Sequence, residues 1–450
     1  MLRAYYLMPA LALAACQSGA GTGPAVPSAI RAAAARTGLP LSGAVNWPEF
    51  RFNDARTGVN PHERVLTRRN VPHMQLLWQA QLGSLVDYSS PAVVNGTVYI
   101  ASTDGRLWAY SADGCGQDLC TQPLWSSESL AQIVDSPTVA NGFVYVGSQT
   151  SPSSAAGKLD VFSANGCGQS QCAPLWQGLV GSKSVLQSSP AVSGGRVFIG
   201  GFDGKLYAFK ATGCGSSTCL PVWTATTGGS IESTPTVVKG VVYVGSDDGN
   251  LYAFKAHGCG ASSCTPLWTG SLGSAAFASS PAVANGIVYM VSQHALSAFK
   301  TSGCGSTACR PLWQSSNSSD FFNGSAAVHK GRVFVPVEDG LDVYPAKGCG
   351  KATCAPLWDD FGAGEQAAIV SSPTVADGVV YAGRNTAEVL AWSESCKSNQ
   401  CTNIWSGATK DSIVSSSPTV VNGKVYIGSA DDSFSSDIAG RLYVFGLTSR

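Results

Sequence analysis

Charged residues make up only 12% of this 450-residue chain, against about a quarter in an ordinary globular protein. The 28 Lys and Arg are matched by 28 Asp and Glu. No basic run or stripe occurs along the chain, which removes the electrostatic footprint of a nucleic-acid-binding protein. The five histidines, His62, His73, His257, His294 and His329, are scattered and read as surface or strand-end residues. There is no His-Glu-x-x-His pair, no nucleophile elbow around a serine and no phosphate-binding Gly-Lys-Ser/Thr loop. No Cys-x-x-Cys-His for haem is present, and no helical period competes with the strand pattern described below.

What is present begins with an export signal. One Arg and a short apolar stretch over residues 4–15 precede Cys16, and that stretch is too short to span a bilayer as a mature helix. Leu13-Ala14-Ala15-Cys16 resembles the lipobox of bacterial lipoproteins, which implies cleavage before Cys16 and acylation of its thiol. Ordinary signal-peptidase cleavage at the same small residues is the alternative. Stable anchoring needs more than one acyl chain, and a bacterial lipoprotein carries several. Gln17 is not the Asp that retains some lipoproteins at an inner membrane, so an outer-membrane location is expected. Residues 17–43 are Gly, Ala, Ser, Pro and Thr with almost no large apolar side chain, a composition that cannot bury enough surface to fold alone. The expected organisation is a signal peptide over 1–15, a flexible tether over 16–45, a lead-in segment over 46–75 and a repeat domain over 76–450.

The repeat is set by Ser-Ser-Pro elements. Pro91, Pro137, Pro190, Pro235, Pro281, Pro373 and Pro418 recur at intervals of about 46 residues, with Ala326 in the same slot, which makes eight units. Asn-Gly or Asp-Gly pairs such as Asn95-Gly96, Asn285-Gly286 and Asn422-Gly423 join the first strand of a unit to the second. Asp104-Gly105, Asp203-Gly204 and Asp248-Gly249 join the second to the third. These pairs supply the positive φ that two-residue hairpins require. Between them run alternating strands rich in β-branched and aromatic residues. Each unit ends in a short strand bearing a Trp: Trp78, Trp125, Trp176, Trp223, Trp268, Trp313, Trp358 and Trp405. Trp78 precedes the first Ser-Ser-Pro, and the last unit stops without a terminal strand. The expected fold is therefore all-β, an eight-bladed β-propeller of four-stranded antiparallel blades, closed by an N-terminal strand that completes the last blade.

Fourteen further cysteines form seven Cys-x4-Cys pairs: Cys115/Cys120, Cys167/Cys172, Cys214/Cys219, Cys259/Cys264, Cys304/Cys309, Cys349/Cys354 and Cys396/Cys401. All are expected in the loop between the third and fourth strands, and the blade assembled from both chain ends has no such loop. Local, even, repeated cysteines in an exported chain read as disulfides. Two thiolates per loop do not fill a structural zinc site, and no metal is expected.

The unit SSPxVxNGxVYxGSxDGxLYAF…PLW resembles the pyrroloquinoline-quinone-type propeller repeat, over roughly residues 46–447. The stretch from Asn46-Trp47-Pro48 to Thr57-Gly58 is similar to the segment preceding the first blade in that family. The Cys-x4-Cys insertion is a departure, standing where the ordinary repeat has a short turn. The resemblance implies one of two functions: non-catalytic lipoproteins such as the outer-membrane assembly factor BamB group, or quinoprotein dehydrogenases acting on alcohols or sugars.

A quinoprotein needs a carboxylate base, a calcium site and a cation converging on the axial mouth. The candidates are Asp87, Asp135, Glu232 and Asn323, with pyrroloquinoline quinone and calcium as the implied cofactors. No adjacent Cys-Cys pair, which bridges in many such alcohol dehydrogenases, occurs here. The same face, widened to Asp87, Tyr88, Asp135, Gln187, Glu232, Asp320 and Asn323, is the candidate binding face. Most equivalent positions are Ser or small apolar residues, as at Ser279, Ser371 and Ser416, so no dense constellation forms. The leading expectation is a monomeric, membrane-tethered envelope protein without a cofactor, whose propeller face binds a protein or polysaccharide.

Overall fold

The Asn-Gly pairs do what hairpin chemistry asks of them: Asn95 and Gly96 sit at φ of 51° and 78°, and Asn422 and Gly423 at 53° and 75°. A three-residue inner strand, such as Ala92–Val94, therefore folds back onto a six-residue second strand, Thr97–Ser102. The computed structural model describes residues 45–149, 156–182, 187–316, 324–338, 340–360, 368–396, 401–430 and 440–448. The expected signal peptide and Cys16 lie outside these residues. The described chain is all-β. Its only helix is the single 3-10 turn Val71–His73, and eight antiparallel sheets form the blades of a propeller.

A belt of hydrogen bonds runs around the axis. The residue before each proline slot donates its N–H to the hydroxyl of its counterpart in the next blade, as in Ser90 to Ser136 Oγ at 2.9 Å and Thr234 to Ser280 Oγ at 2.9 Å. The belt continues through Ser325, Ser372 and Ser417, and Ser417 donates to Ser90 Oγ at 2.9 Å. Eight blades close one ring. At the seam, Gln75–Gln81 pairs antiparallel with Arg441–Gly446, with Trp78 opposite Val444.

Seven of the eight four-stranded blades gain a fifth strand from elsewhere in the chain. In six sheets the Cys loop of the following blade adds a two-residue parallel strand outside the Trp strand. Gln171–Cys172 pairs with Ser126 and Ser127, and Thr218–Cys219 with Gln177 and Gly178. A seventh sheet receives Val59–Asn60 on its inner edge instead. All seven Cys-x4-Cys pairs are disulfides, with Cα–Cα distances of 5.6–6.1 Å. Each of those six loops thus closes its own turn and hooks the preceding blade.

The two members of each pair differ in environment. Cys115, Cys167, Cys214, Cys259, Cys304 and Cys349 are exposed, and Cys396 is half-buried. Their partners Cys120, Cys172, Cys219, Cys264, Cys309, Cys354 and Cys401 are only 0–6% exposed and belong to the hydrophobic core. Each sits in the cluster built around the Trp of the preceding blade. Cys120 packs in the cluster of Trp78, Cys264 in that of Trp223, Cys309 in that of Trp268, Cys354 in that of Trp313 and Cys401 in that of Trp358. Cys172 and Cys219 join Trp125 and Trp176 in the same way. The reason is that a half-cystine is a small apolar group, so the parallel pairing that docks a loop on its neighbour turns the second sulfur into the seam between blades. These residues are structural parts of the core, and none belongs to a functional site.

The Trp side chains explain the glycine before the first Cys in six of the seven loops. Gly258 sits at φ +81°, and a Cβ there would lie 2.7 Å from Cδ1 of Trp223. The indole stacks flat on that backbone, and only glycine allows both the approach and the dihedral. The rest of each Trp packs between blades: Trp223 is buried with Ala208, Val242 and Phe254, and Trp125 lies against Tyr99 and Phe162.

Candidate functional site

The segment over residues 46–60 is more than a lead-in, because it threads the axial channel. Each inner strand turns a backbone N–H toward the axis, and an unpaired buried donor is costly. The segment's carbonyls accept these donors one blade after another. Pro48 accepts from Val139, Asp54 from Val237, Ala55 from Val283, Thr57 from Val328 and Gly58 from Val375, all at 2.7–3.0 Å. Trp47 bridges to Val93, and Asn60 Nδ2 donates to Val420 O at 2.8 Å. Only the third blade takes no such bond among the described residues.

Two buried arginines complete this plug. Where an inner strand starts with Thr, its hydroxyl donates to the proline carbonyl of the next blade: Thr138 to Pro190 O, Thr236 to Pro281 O, Thr374 to Pro418 O and Thr419 to Pro91 O. Ala191, Ala282 and Ala327 begin the inner strands of other blades and offer no hydroxyl. There the guanidinium groups take over. Arg56 Nε donates to Pro235 O at 3.3 Å, and Arg51 donates to Ala326 O at 2.6 Å and to Pro373 O. Alanine also leaves room for the larger side chain. Arg56 pairs with Glu49 at 2.8 Å, and both arginines are buried. Burial, with the Arg56 charge adding to it, pulls Arg51 down to about 9. Burial raises Glu49 to about 7 against the opposing pull of Arg56. Arg51, Phe52 and Arg56 all have positive φ, backbone strain held in place by this hydrogen-bonding.

The opposite end of the channel stays open as a cavity of about 230 Å³ floored by Phe50. Its rim is formed in six blades by the residue three places before the proline slot: Tyr88, Gln187, Glu232, Ala278, Val370 and Ser415 all line it. Tyr88, Ala278 and Ser415 hold the left-handed region, at φ of 58°, 46° and 58°. Below the rim lie Ser136, Ser189, Thr234 and Ser372 of the hydroxyl belt, and Phe277 and Gln293 complete the wall. Burial, with the charge of Asp247 and a hydrogen bond to it adding, raises Glu232 to about 7. Burial raises the Tyr88 phenol, with added repulsion from Asp87 and Glu232, and a hydrogen bond to Ser415 opposes this. Glu232 is the only ionised-type side chain besides Tyr88 in the described lining, which holds no Lys or Arg.

The expected face is thus only partly assembled. Tyr88, Gln187 and Glu232 meet at the cavity. Asp87 does not line it; its backbone bridges to Val414, and burial raises its carboxyl to about 6. Asp135 does not line it either. It occupies the slot of Ser89, Ser188, Ser233 and Ser416, two places before the proline, and does what they do: its Oδ2 accepts from Gly147 N–H at 2.6 Å, as Ser233 Oγ accepts from Gly245 at 2.9 Å. It is fully buried, and burial lifts its pKa well above the usual range. Asp320 and Asn323 lie outside the described residues. Among those described, no group of three or more His, Cys, Asp or Glu side chains is placed to hold a metal ion. The sequence signal for the rim was its phase, three places before the proline, and polarity alone hid it.

Fold and channel together define an eight-bladed propeller whose axial channel is plugged at one end and open at the other. Residues 169–258 match the family model described as outer membrane protein assembly factor BamB. No curated protein matches the sequence. Among solved structures, BamB from Moraxella catarrhalis is similar at a TM-score of 0.61 and 18% identity, covering 84% of this chain and 98% of that one. Quinohemoprotein alcohol dehydrogenase from Comamonas testosteroni is similar at 0.66 and 13%, covering 94% and 83%. A europium-containing methanol dehydrogenase is similar at 0.68 and 12%, covering 90% and 99%. At these identities the likeness is one of fold.

Proposed function

We propose that this protein is a lipid-anchored envelope protein, exported to the outer membrane, that works without catalysis and presents the open mouth of its propeller to a protein or polysaccharide partner. One observation carries the reading: the channel is filled from one side by a plug with buried arginines, and the remaining mouth holds about 230 Å³ lined by hydroxyl, amide and aromatic side chains. Such a rim suits recognition of a chain or loop, with Tyr88, Phe277, Gln187 and Gln293 offering aromatic and amide contacts. The family match over residues 169–258 supports the same direction.

A quinone-dependent dehydrogenase is the contrasting reading. Pyrroloquinoline quinone carries three carboxylates, and the described lining offers them no cation and offers a calcium ion one carboxylate, Glu232. The described residues do not fit that group. The test is capture of envelope proteins and polysaccharides on the purified chain and on a Tyr88→Ala/Phe277→Ala variant. The proposal expects a partner held by the first and lost by the second. Equal recovery on both, or none on either, overturns it.

A further inference from the structure

Antiparallel strands place the first hairpin turns and the Cys loops of all blades at one end of the propeller. The second hairpin turns and the rim of the cavity lie at the other. Net neutrality conceals how unevenly charge divides between these two ends. Lys210, Lys255 and Lys300 end the third strands of three successive blades, and Lys239 and Lys330 stand in first hairpin turns; all five are exposed. Arg310, Lys347 and Lys351 are exposed around the Cys loops. The exposed Arg64, Arg68 and Arg69 belong to the segment that crosses this end, where Arg68 meets Ser393 and Ser395. Against these eleven cations, of which Lys330 stands beside Glu394, the same end exposes four carboxylates, Asp54, Asp118, Asp377 and Asp113, the last held by Lys424. The cavity end has no such excess: its Arg106, Lys205, Arg384 and Arg441 each stand beside a carboxylate, and the exposed Lys410 is outnumbered by the exposed Glu128, Asp248 and Glu338.

We propose that the Cys-loop end docks on an anionic membrane surface. Three observations converge on a bilayer as the occupant. The charge is complementary to anionic headgroups, each such cation contributing about 1 kcal/mol near the surface. Leu124, Leu175, Leu220, Leu267, Leu312 and Leu357, 40–73% exposed, ring the same end next to the Trp strands, an apolar supplement of the kind interfacial proteins use. The chain that carries Cys16 enters the described structure at this end, where Val45 bonds to Asn422 and Asn46 to Asn95. The inference deepens the proposed function by orienting it: the basic end lies on the membrane and the cavity faces away. It rests on that reading for its place in the cell only.

The test uses the exported chain with Cys16→Ser, so that no acyl chain contributes, and vesicles of phosphatidylglycerol in phosphatidylcholine. Co-sedimentation is expected with these at low ionic strength and not with pure phosphatidylcholine. Release is expected at about 1 M salt, where the Debye length falls to about 3 Å. Lys210→Glu/Lys255→Glu/Lys300→Glu should weaken binding on the order of a hundredfold, while Lys205→Glu/Lys410→Glu at the cavity end leaves it unchanged. All five side chains are exposed, and a wild-type near-UV circular dichroism spectrum verifies each fold. Equal binding to neutral vesicles, no loss in the triple variant, or binding of dextran sulfate with no binding of vesicles overturns the proposal. Because partner capture is measured without membranes, failure of either test leaves the other standing.

Discussion

The two ends of the channel are built from the same repeat and have opposite characters. At one end seven of the eight inner strands bond to the plug, and its two arginines are buried against carbonyls and Glu49. At the other the same strands lead into varied rim residues, three of them at positive φ and one carboxyl raised to about 7. A repeat supplies stiffness wherever its positions are alike. It supplies a site where one position is released from that likeness, and here the released position is the third before the proline.

Changes that break the plug should have the largest effect. Arg56→Ala leaves Glu49 buried without its ion pair and Pro235 O without a donor. The expected cost is about 3–5 kcal/mol, read as a fall in the denaturant midpoint. A loss below about 1 kcal/mol would show that the plug is not part of the stable core. Next, Cys214→Ser/Cys219→Ser should cost about 2 kcal/mol by the chain-entropy argument. It should also raise hydrogen exchange at Gln177, whose N–H bonds to Ser217 O in that loop. Thr236→Val removes one hydroxyl from the belt of threonines and leaves Pro281 O unpaired, a loss of about 1–3 kcal/mol. Ala282→Thr sharpens the same point from the other side. It adds a hydroxyl where Arg51 already serves Ala326 O, so crowding should destabilise the chain and relieve nothing.

The buried carboxyls at both ends should make stability depend on pH. The carboxyls of Glu232 and Glu49 have folded-state pKa values raised to about 7 from 4.5, and Asp87 to about 6 from 3.8. Between those limits the folded chain holds more protons than the unfolded one, so stability falls as pH rises from about 4 to 7 and levels off above. The melting temperature should be higher at pH 5 than at pH 7.5, and Glu232→Gln should flatten part of that slope. A melting temperature that rises across this interval contradicts the assignment.

Blade number, the Trp positions and the disulfides were legible because each recurs once per unit, so phase alone identified them. The fifth strands were not, since two residues of a Cys loop carry no strand pattern and gain one only by lying against the neighbouring blade. The same docking buries the second cysteine of each pair, which spacing within the loop cannot distinguish from the first. The plug was hidden for a related reason. Residues 46–60 occur once, and their partners are backbone groups of blades far along the sequence. Its trace was in plain view as the choice of Ala or Thr after the proline, which looks like neutral variation until Arg51 and Arg56 are seen beside it. Asp135 was misread because an acid near a loop suggests a mouth, whereas its phase makes it a stand-in for serine. The basic end escaped notice because its lysines are spaced a blade apart and form no run.

The central claim is that the mouth recognises a macromolecule and performs no redox chemistry. Its most direct test is titration of the purified chain with pyrroloquinoline quinone and calcium, followed by absorption and by dye reduction with a panel of alcohols and sugars. The account predicts no bound-quinone spectrum and no reduction at micromolar quinone. A saturable quinone spectrum with alcohol-dependent dye reduction, lost in Glu232→Gln, would contradict it.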